Sequence, residues 1–283
     1  MLRNPAYVSF AASRVFSQLS FQAVTVALGW MIYDQTHNAY ALGLVGFCQF
    51  LPMLILTFVV GHVADRFDRR RIGLVCQMAE ALTAAMLAIA VWRGWLGPVG
   101  IFSAVAVLGA VQAFERPTMA ALLPNIVPAA LLQKAIATTT SMQQTALIIG
   151  PSVGGLLYGV DAVAPFVMAA VLFAVASVNV VSIRMARRAP AARAPVTLSS
   201  VFAGVAFIRS RPIILGTISL DLFAVLLGGA TALLPIFAHD ILQAGPWGLG
   251  LLRAGPAVGA LIMSIVLARR PMRSGVGASR SAI

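Results

Sequence analysis

Gly61-His-Val-Ala-Asp65-Arg66-Phe-Asp-Arg69-Arg70-Arg71 is a short basic stretch set between two apolar runs, residues 42–61 and 73–92. Each run is about 20 residues long, the length a helix needs to cross a hydrocarbon core roughly 30 Å thick. Four arginines packed between two such runs are what a pair of membrane helices presents to the cytoplasm. The arginines also have company that a plain basic loop does not require: a glycine at the helix end and an aspartate four residues after it. The fold question therefore starts here.

The same reading extends over the whole chain. Apolar residues make up 60% of 283 positions, charged residues 10%, and mean hydropathy is +0.93. A soluble domain carries about a quarter of its residues as charges, so this composition requires lipid as the main solvent. The apolar residues come in runs rather than alternating, which excludes a β-barrel. Eight spans are predicted, at 7–33, 42–61, 73–92, 98–115, 135–158, 163–183, 213–237 and 247–268. A net charge of +12 in a soluble protein would point to nucleic acid, but here the arginines gather between spans on one side. Only Arg93 and Arg253 fall on the other. That asymmetry predicts a multi-pass protein of a bacterial inner membrane with its N-terminus in the cytoplasm, and no nucleic-acid partner. The first apolar stretch contains polar residues and runs past 20 positions, so it reads as a span rather than a cleaved signal. Cys48 and Cys76 fall within spans and are expected to be reduced packing residues.

Two cytoplasmic connections are expected to be long. Residues 116–134 read as a bent amphipathic connector, and residues 184–212, after the sixth span, as a basic hinge with six arginines and with Pro190 and Pro195 inside it. An internal repeat agrees with a division at that hinge. Thr25-Val-Ala-Leu-Gly-Trp-Met-Ile-Tyr-Asp34 closes span 1, and Thr231-Ala-Leu-Leu-Pro-Ile-Phe-Ala-His-Asp240 closes span 7 at the same internal spacing. Parallel duplication of this kind is a transporter pattern. The domains expected are a six-helix bundle at 1–183, the linker 184–212, two helices of a second bundle at 213–271, and a polar tail at 272–283. A second bundle of two spans reads as a shortened one, with four spans missing and the tail frame-shifted; a genuine eight-span protein is the alternative.

The stretch from Gly61 to Arg71 resembles the G-x-x-x-D-R-x-x-R-R/K loop of the major facilitator superfamily. Gly150-Pro151-Ser-Val-Gly154-Gly155 in span 5 is similar to that family's G-P-x-x-G-G element, which its exporters carry. Phe114 through Pro128 also resembles the family, and the likeness is greatest to the branch of enterobactin and macrolide exporters. The resemblance covers residues 7–271. It implies an all-α fold with about 8 of 12 transmembrane helices present, and efflux of a small amphipathic molecule by alternating access. It implies Gly61, Asp65, Arg66, Arg69 and Arg70 as a cytoplasmic gate latch, and Gly150, Pro151, Gly154 and Gly155 as a kinked surface packing against span 8, whose own Gly255-Pro256-Ala-Val-Gly259 repeats the idea. The family often has Gly where Asp68 stands. Span 4 lacks the arginine motif of many proton-coupled antiporters and has Gln112 and Glu115 in that region instead.

Polar residues inside the spans are the candidates for function, because a charge in lipid is costly unless it faces water or a partner. Arg14, Gln18, Gln22 and Thr25 follow one another at helical spacing and predict one polar stripe on span 1. Arg14 reads as holding an anionic cargo group, pairing with an acid, or snorkelling to the cytoplasmic surface. Glu80, Glu115 and Asp221 are the candidate acids for proton coupling. Asp221 is expected to line the cavity, and Glu80 to pair with a basic residue near the cytoplasmic loops. Thr138, Ser141 and Thr145 form a milder polar line on span 5. His37, His62 and His239 read as isolated, with no metal set among them. No arrangement of nucleophile, base or metal ligand points to an enzyme or cofactor, and no ATP-binding motif is present, so an ion gradient is the implied energy source, with a proton gradient as the expected partner. A lipid-modifying membrane enzyme and an inactive transporter fragment are the competing readings.

Overall fold

The computed structural model describes residues 4–183, 209–227 and 233–269. Eight helices run through them, here α1 (Pro5–Thr36), α2 (Ala39–Arg66), α3 (Arg69–Trp92), α4 (Pro98–Ile126), α5 (Ala129–Val160), α6 (Ala164–Ser182), α7 (Pro212–Leu227) and α8 (Gly245–Arg269). Between α7 and α8 lie a short helical turn, Leu234–Ile236, and a π-helical turn, Phe237–Ile241. No strand occurs among the described residues. The basic hinge expected over 184–208 and the polar tail expected beyond Arg269 lie outside the described residues.

Local chemistry sets the helix starts. Asn4, Asn38 and Asp68 each accept a backbone N–H two residues on, capping α1, α2 and α3. Asp68 is therefore an N-cap, which is a physical reason for an aspartate at the position where the family often has glycine. Gly97 and Pro98 open α4, where proline's missing N–H is no loss.

Five helices are long and apolar enough to cross a membrane by themselves: Pro5–Thr36, Ala39–Leu56, Arg69–Trp92, Pro98–Ile126 and Ala164–Ser182. The spans expected at 135–158, 213–237 and 247–268 do not join that set. Helix α5 has the length, with 32 residues, but its first half is interrupted by Gln133, Lys134, Gln143 and Gln144. The described part of α7 is 16 residues. The side chains left outside are those lipid wets. Phe47, Phe50, Ile55, Leu82, Met86, Trp92, Val171 and Val178 are all more than half exposed, a surface that water would not support.

Helix α1 is the central post. It packs on α5 and α6, and less extensively on α4 and α2; α2 packs on α4, and α3 on α4 and α6. Its N-terminal half joins Tyr7, Phe10 and Ala11 to Met119, Leu122 and Val180 in one core, and its C-terminal half joins Leu28, Met31 and Ile32 to Leu87, Ile101, Phe166 and Phe173 in another. Between those two apolar cores lies a polar layer.

One connection differs from the sequence expectation. Residues 116–134 do not form a connector: α4 continues through Pro117 and Pro124 to Ile126, and α5 begins at Ala129. Proline inside a helix frees one carbonyl, which a membrane bundle can tolerate when neighbouring groups approach. The carbonyl of Ala121, within this stretch, accepts from the Arg69 side chain at 3.0 Å.

Candidate functional site

The polar layer is built from i, i+3 pairs that place two polar groups on one helix face. Helix α3 supplies Gln77 and Glu80, and α4 supplies Gln112 and Glu115. Helix α1 adds Ser13, Arg14 and Ser17. Glu80, Glu115, Gln77 and Ser13 are each 0% exposed.

Glu115 is the hub. Its carboxylate accepts from the Ser17 hydroxyl at 3.0 and 3.2 Å, from Gln77 Nε2 at 3.2 Å and from Gln112 Nε2 at 3.0 Å. Arg14 Nη1 lies 3.5 Å from its Oε1. On its far side Arg14 meets α5: Gln143, with its amide oxygen turned toward the guanidinium, accepts from Nη2 at 2.6 Å and Nε at 3.2 Å. Gln112 Nε2 also donates to Glu80 Oε1 at 2.6 Å, so one amide bridges two carboxyl groups. Gln112 Oε1 in turn accepts from Arg116 Nε at 2.8 Å. Arg116 is exposed and its guanidinium sits 5.9 Å from the centre of the Phe21 ring.

The layer is not fully satisfied. Among the described residues Glu80 Oε2, Gln77 Oε1 and Thr118 Oγ1 are buried without a hydrogen-bond partner. Unpaired buried polar atoms are expensive and mark sites where a network has a further role.

The sequence candidates distribute as follows. Arg14 neither snorkels nor faces open space; it pairs with an acid. Glu80 takes an amide rather than the basic partner expected near the cytoplasmic loops. The stripe on α1 is not one surface: Arg14 turns to Glu115 and Gln143, Gln18 is half-exposed, Thr25 bonds the carbonyl of Phe21 at 2.8 Å, and Gln22 packs against α5 beside Gly150. Thr138, Ser141 and Thr145 each donate to the carbonyl four residues back, so their hydroxyls are spent locally. Asp221 lies in α7, and Gly61, Asp65 and Arg66 in the last turns of α2, with side chains outside the described set. Arg70 caps a helix end, donating to the carbonyls of Val180 and Val181 at the end of α6, while Arg69 reaches the Ala121 carbonyl within α4.

The Gly-Pro element on α5 also differs from expectation. A Cβ at Gly150 would lie 2.6 Å from Gln22 Cβ, and one at Gly154 2.6 Å from Ala23 Cα, so those two glycines admit α1 rather than α8. Gly155 and Pro151 face α8: a Cβ at Gly155 would lie 2.5 Å from the Pro246 carbonyl oxygen and 3.1 Å from Gly250, and one at Gly250 would lie 2.7 Å from the Pro151 carbonyl oxygen. The partner on α8 is thus Gly250; Gly255 and Gly259 have nothing within 4 Å among the described residues.

Gln77 and Gln143 are members that the sequence does not single out, Gln112 stands out there only as a neighbour of Glu115, and Arg116 only as the start of an expected connection. Gln77–Glu80 and Gln112–Glu115 share an i, i+3 spacing that signals a common face. Arg116 was hidden by the expectation of a loop at 116.

A family description, transmembrane secretion effector, matches residues 1–280. The chain belongs to this family of the major facilitator superfamily. It is 25% identical over 269 residues to macrolide efflux protein A of Streptococcus pyogenes, covering 90% of the chain and 64% of that protein. It is 24% identical over 286 residues to the multidrug efflux pump Tap of Mycobacterium tuberculosis, covering 96% of the chain and 68% of the pump. Over 136 residues it is 27% identical to a staphyloferrin A transporter of Staphylococcus aureus, covering 48% of the chain and 34% of that protein. The chain thus spans from a third to about two thirds of the length of these relatives. Among solved structures, the nucleoside transporter NupG superposes with a TM-score of 0.64 at 12% identity, covering 93% of the chain and 68% of NupG. The peptide-family transporter PepTSo superposes with a TM-score of 0.59 at 18% identity, covering 96% of the chain and 55% of PepTSo. The fold is that of a major facilitator transporter, and the family and these relatives are membrane transporters.

Proposed function

We propose that the protein works in secondary active export of a small amphipathic molecule across the bacterial inner membrane, by alternating access and with proton coupling. Its N-terminus lies in the cytoplasm, and residues 1–183 and 213–271 belong to two bundles joined by the basic linker 184–212. The observation that carries the coupling is the Glu80–Gln112–Glu115 bridge with Arg14 beside it. Two carboxyl groups share one amide, while one guanidinium makes the ion pair. Two carboxyl groups held by one amide in a low-dielectric layer can share a proton, and taking it up or releasing it re-sorts the bonds among α1, α3 and α4. Because α1 also holds α5 through Arg14 and Gln143, that re-sorting reaches the helix that meets α8. Asp221 on α7 is a second coupling acid in this reading, and the loop from Gly61 to Arg70 the cytoplasmic latch.

The names of the relatives supply the cargo to try: a macrolide, a siderophore, and a multidrug-type amphipathic dye. The test is uptake of each by inverted membrane vesicles carrying the protein, with an imposed proton gradient. Uptake that stops on adding a protonophore and ignores ATP is expected. Uptake that persists without the gradient, or none for any cargo class, contradicts the proposal.

A further inference from the structure

We infer that His239 is a proton-binding site on the outer face, at which a bound proton fastens the end of α1 to the segment that follows α7. The sequence reading took His37 and His239 as isolated; the structure brings their rings to 5.5 Å. His239 is also 5.4 Å from Trp30 and 5.5 Å from Tyr33, so three rings of the outer end of α1 enclose it. It sits in the π-helical turn Phe237–Ile241, a rare geometry that recurs at functional positions.

The polar contacts across this junction are reciprocal. Tyr33 and His239 occupy equivalent positions of the internal repeat, and so do Asp34 and Asp240. The Tyr33 hydroxyl donates to Asp240 Oδ2, and His239 Nε2 lies 3.7 Å from Asp34 Oδ1. Each half thus offers its first residue to the other half's aspartate, the contact pattern of a two-fold interface made within one chain.

Of the two reciprocal donors, a phenol and an imidazole, only the imidazole gains a second N–H by binding a proton. His239 Nδ1 lies 2.7 Å from Asp240 Oδ1, so both ring nitrogens face carboxylates. A neutral imidazole has one N–H and can serve one of them, turning a lone pair toward the other; the imidazolium has two N–H groups and serves both. Proton binding therefore tightens the junction, and proton loss sets a nitrogen lone pair against a carboxylate. Asp240 stays available as an acceptor because the hydroxyl of Tyr33, then the ring of His239, hold its carboxyl below the usual carboxylate range. The titratable and charged groups around His239 are Tyr33, Asp34 and His37 of α1 and Asp240 of its own turn. Next come Tyr158 of α5, which packs in the same cluster as Trp30 and Ala238, and Arg253 of α8, whose guanidinium reaches Gly29. His239, Asp240 and Asp34 are partly open to solvent, so a proton reaches them from the outer water.

The proposed role rests on the proton-coupled reading for its place in the cycle: a proton arriving from outside closes the outer junction after cargo has left. The test is made independent of transport. Spin labels at Tyr40→Cys and Leu242→Cys, both exposed sites, are introduced with Cys48→Ser and Cys76→Ala, and the distance is measured in nanodiscs at about pH 5.5 and 8.5. A single short distance is expected at the acid pH, with a longer population rising at least about threefold at the alkaline one, across the range in which histidine titrates. His239→Gln removes the dependence and gives the alkaline distribution throughout; His37→Gln keeps it. If His239→Gln misfolds on gel filtration, Asp34→Asn reports instead, by losing at least half of the shift. A pH-dependent distance that survives His239→Gln or Asp34→Asn, one that vanishes in His37→Gln, or one that never changes with pH overturns the inference. Export that ignores the gradient while the distance still shifts overturns the transport reading alone.

Discussion

Glu80 and Glu115 share a single donor: Gln112 Nε2 lies 2.6 Å from an oxygen of the first and 3.0 Å from an oxygen of the second. The two acids come from different helices, α3 and α4, and differ in company. Glu115 has an ion pair and four hydrogen-bond contacts from three side chains, whereas one oxygen of Glu80 has no partner among the described residues. That inequality divides the layer into an anchored acid and a poised one.

The division predicts opposite outcomes for the same substitution. Glu115→Gln leaves the Arg14 guanidinium buried beside a neutral amide, a loss of about 3 kcal/mol or more. Glu80→Gln strands no cation and is expected within about 1 kcal/mol of wild type. Thermal unfolding in detergent compares them, and equal losses would contradict the assignment of roles.

Close helix approach gives a second pair of variants. Gly154→Ala places its Cβ 2.6 Å from the Ala23 backbone and is expected to lose about 1–3 kcal/mol, because a backbone must move. Gly255→Ala meets nothing within 4 Å among the described residues and is expected to gain up to about 1 kcal/mol. If both melt alike, α1 and α5 are not as close as described.

Arg70 holds the end of α6 through two carbonyls. Arg70→Gln is expected to lower stability by about 1 kcal/mol, and Arg70→Lys by less, since an ammonium keeps the charge at the helix end but not the forked donors. Hydrogen exchange at the last turn of α6 reads the effect; unchanged protection there in Arg70→Gln would remove the capping role.

Asp240 gives a pH prediction whose sign follows from its lowered titration. A carboxyl held low by its partners contributes stability that is complete above the ordinary aspartate range, near pH 4, and is lost as pH falls through its lowered value. Melting temperatures of wild type and Asp240→Asn are therefore expected to differ at neutral pH and to converge in acid. A gap that widens in acid contradicts it.

Much of this architecture is legible in the sequence, because lipid imposes it. Apolar runs and basic loops locate the helices, while the caps at Asn4, Asn38 and Asp68 emerge only with the structure. Pro117 and Pro124 mislead, since proline breaks a helix in water but a packed bundle can carry it through. The polar layer is half legible: Arg14, Glu80 and Glu115 stand out as charges in lipid, while Gln77, Gln112 and Gln143 gain meaning only from what they touch. Their partners lie on other helices, and no spacing within one helix names them. The same limit hid His37 and His239, which are far apart in the chain and meet only because the repeat brings equivalent ends together.

The central claim is that the Glu80–Glu115 pair carries a transferable proton. Difference infrared spectroscopy of the protein in lipid, titrated through neutral pH, reads the carbonyl stretch of a protonated carboxyl directly. The account predicts such a band at pH 7, absent in Glu80→Gln. A spectrum without that band at pH 7, or one that Glu80→Gln leaves unchanged, would contradict it.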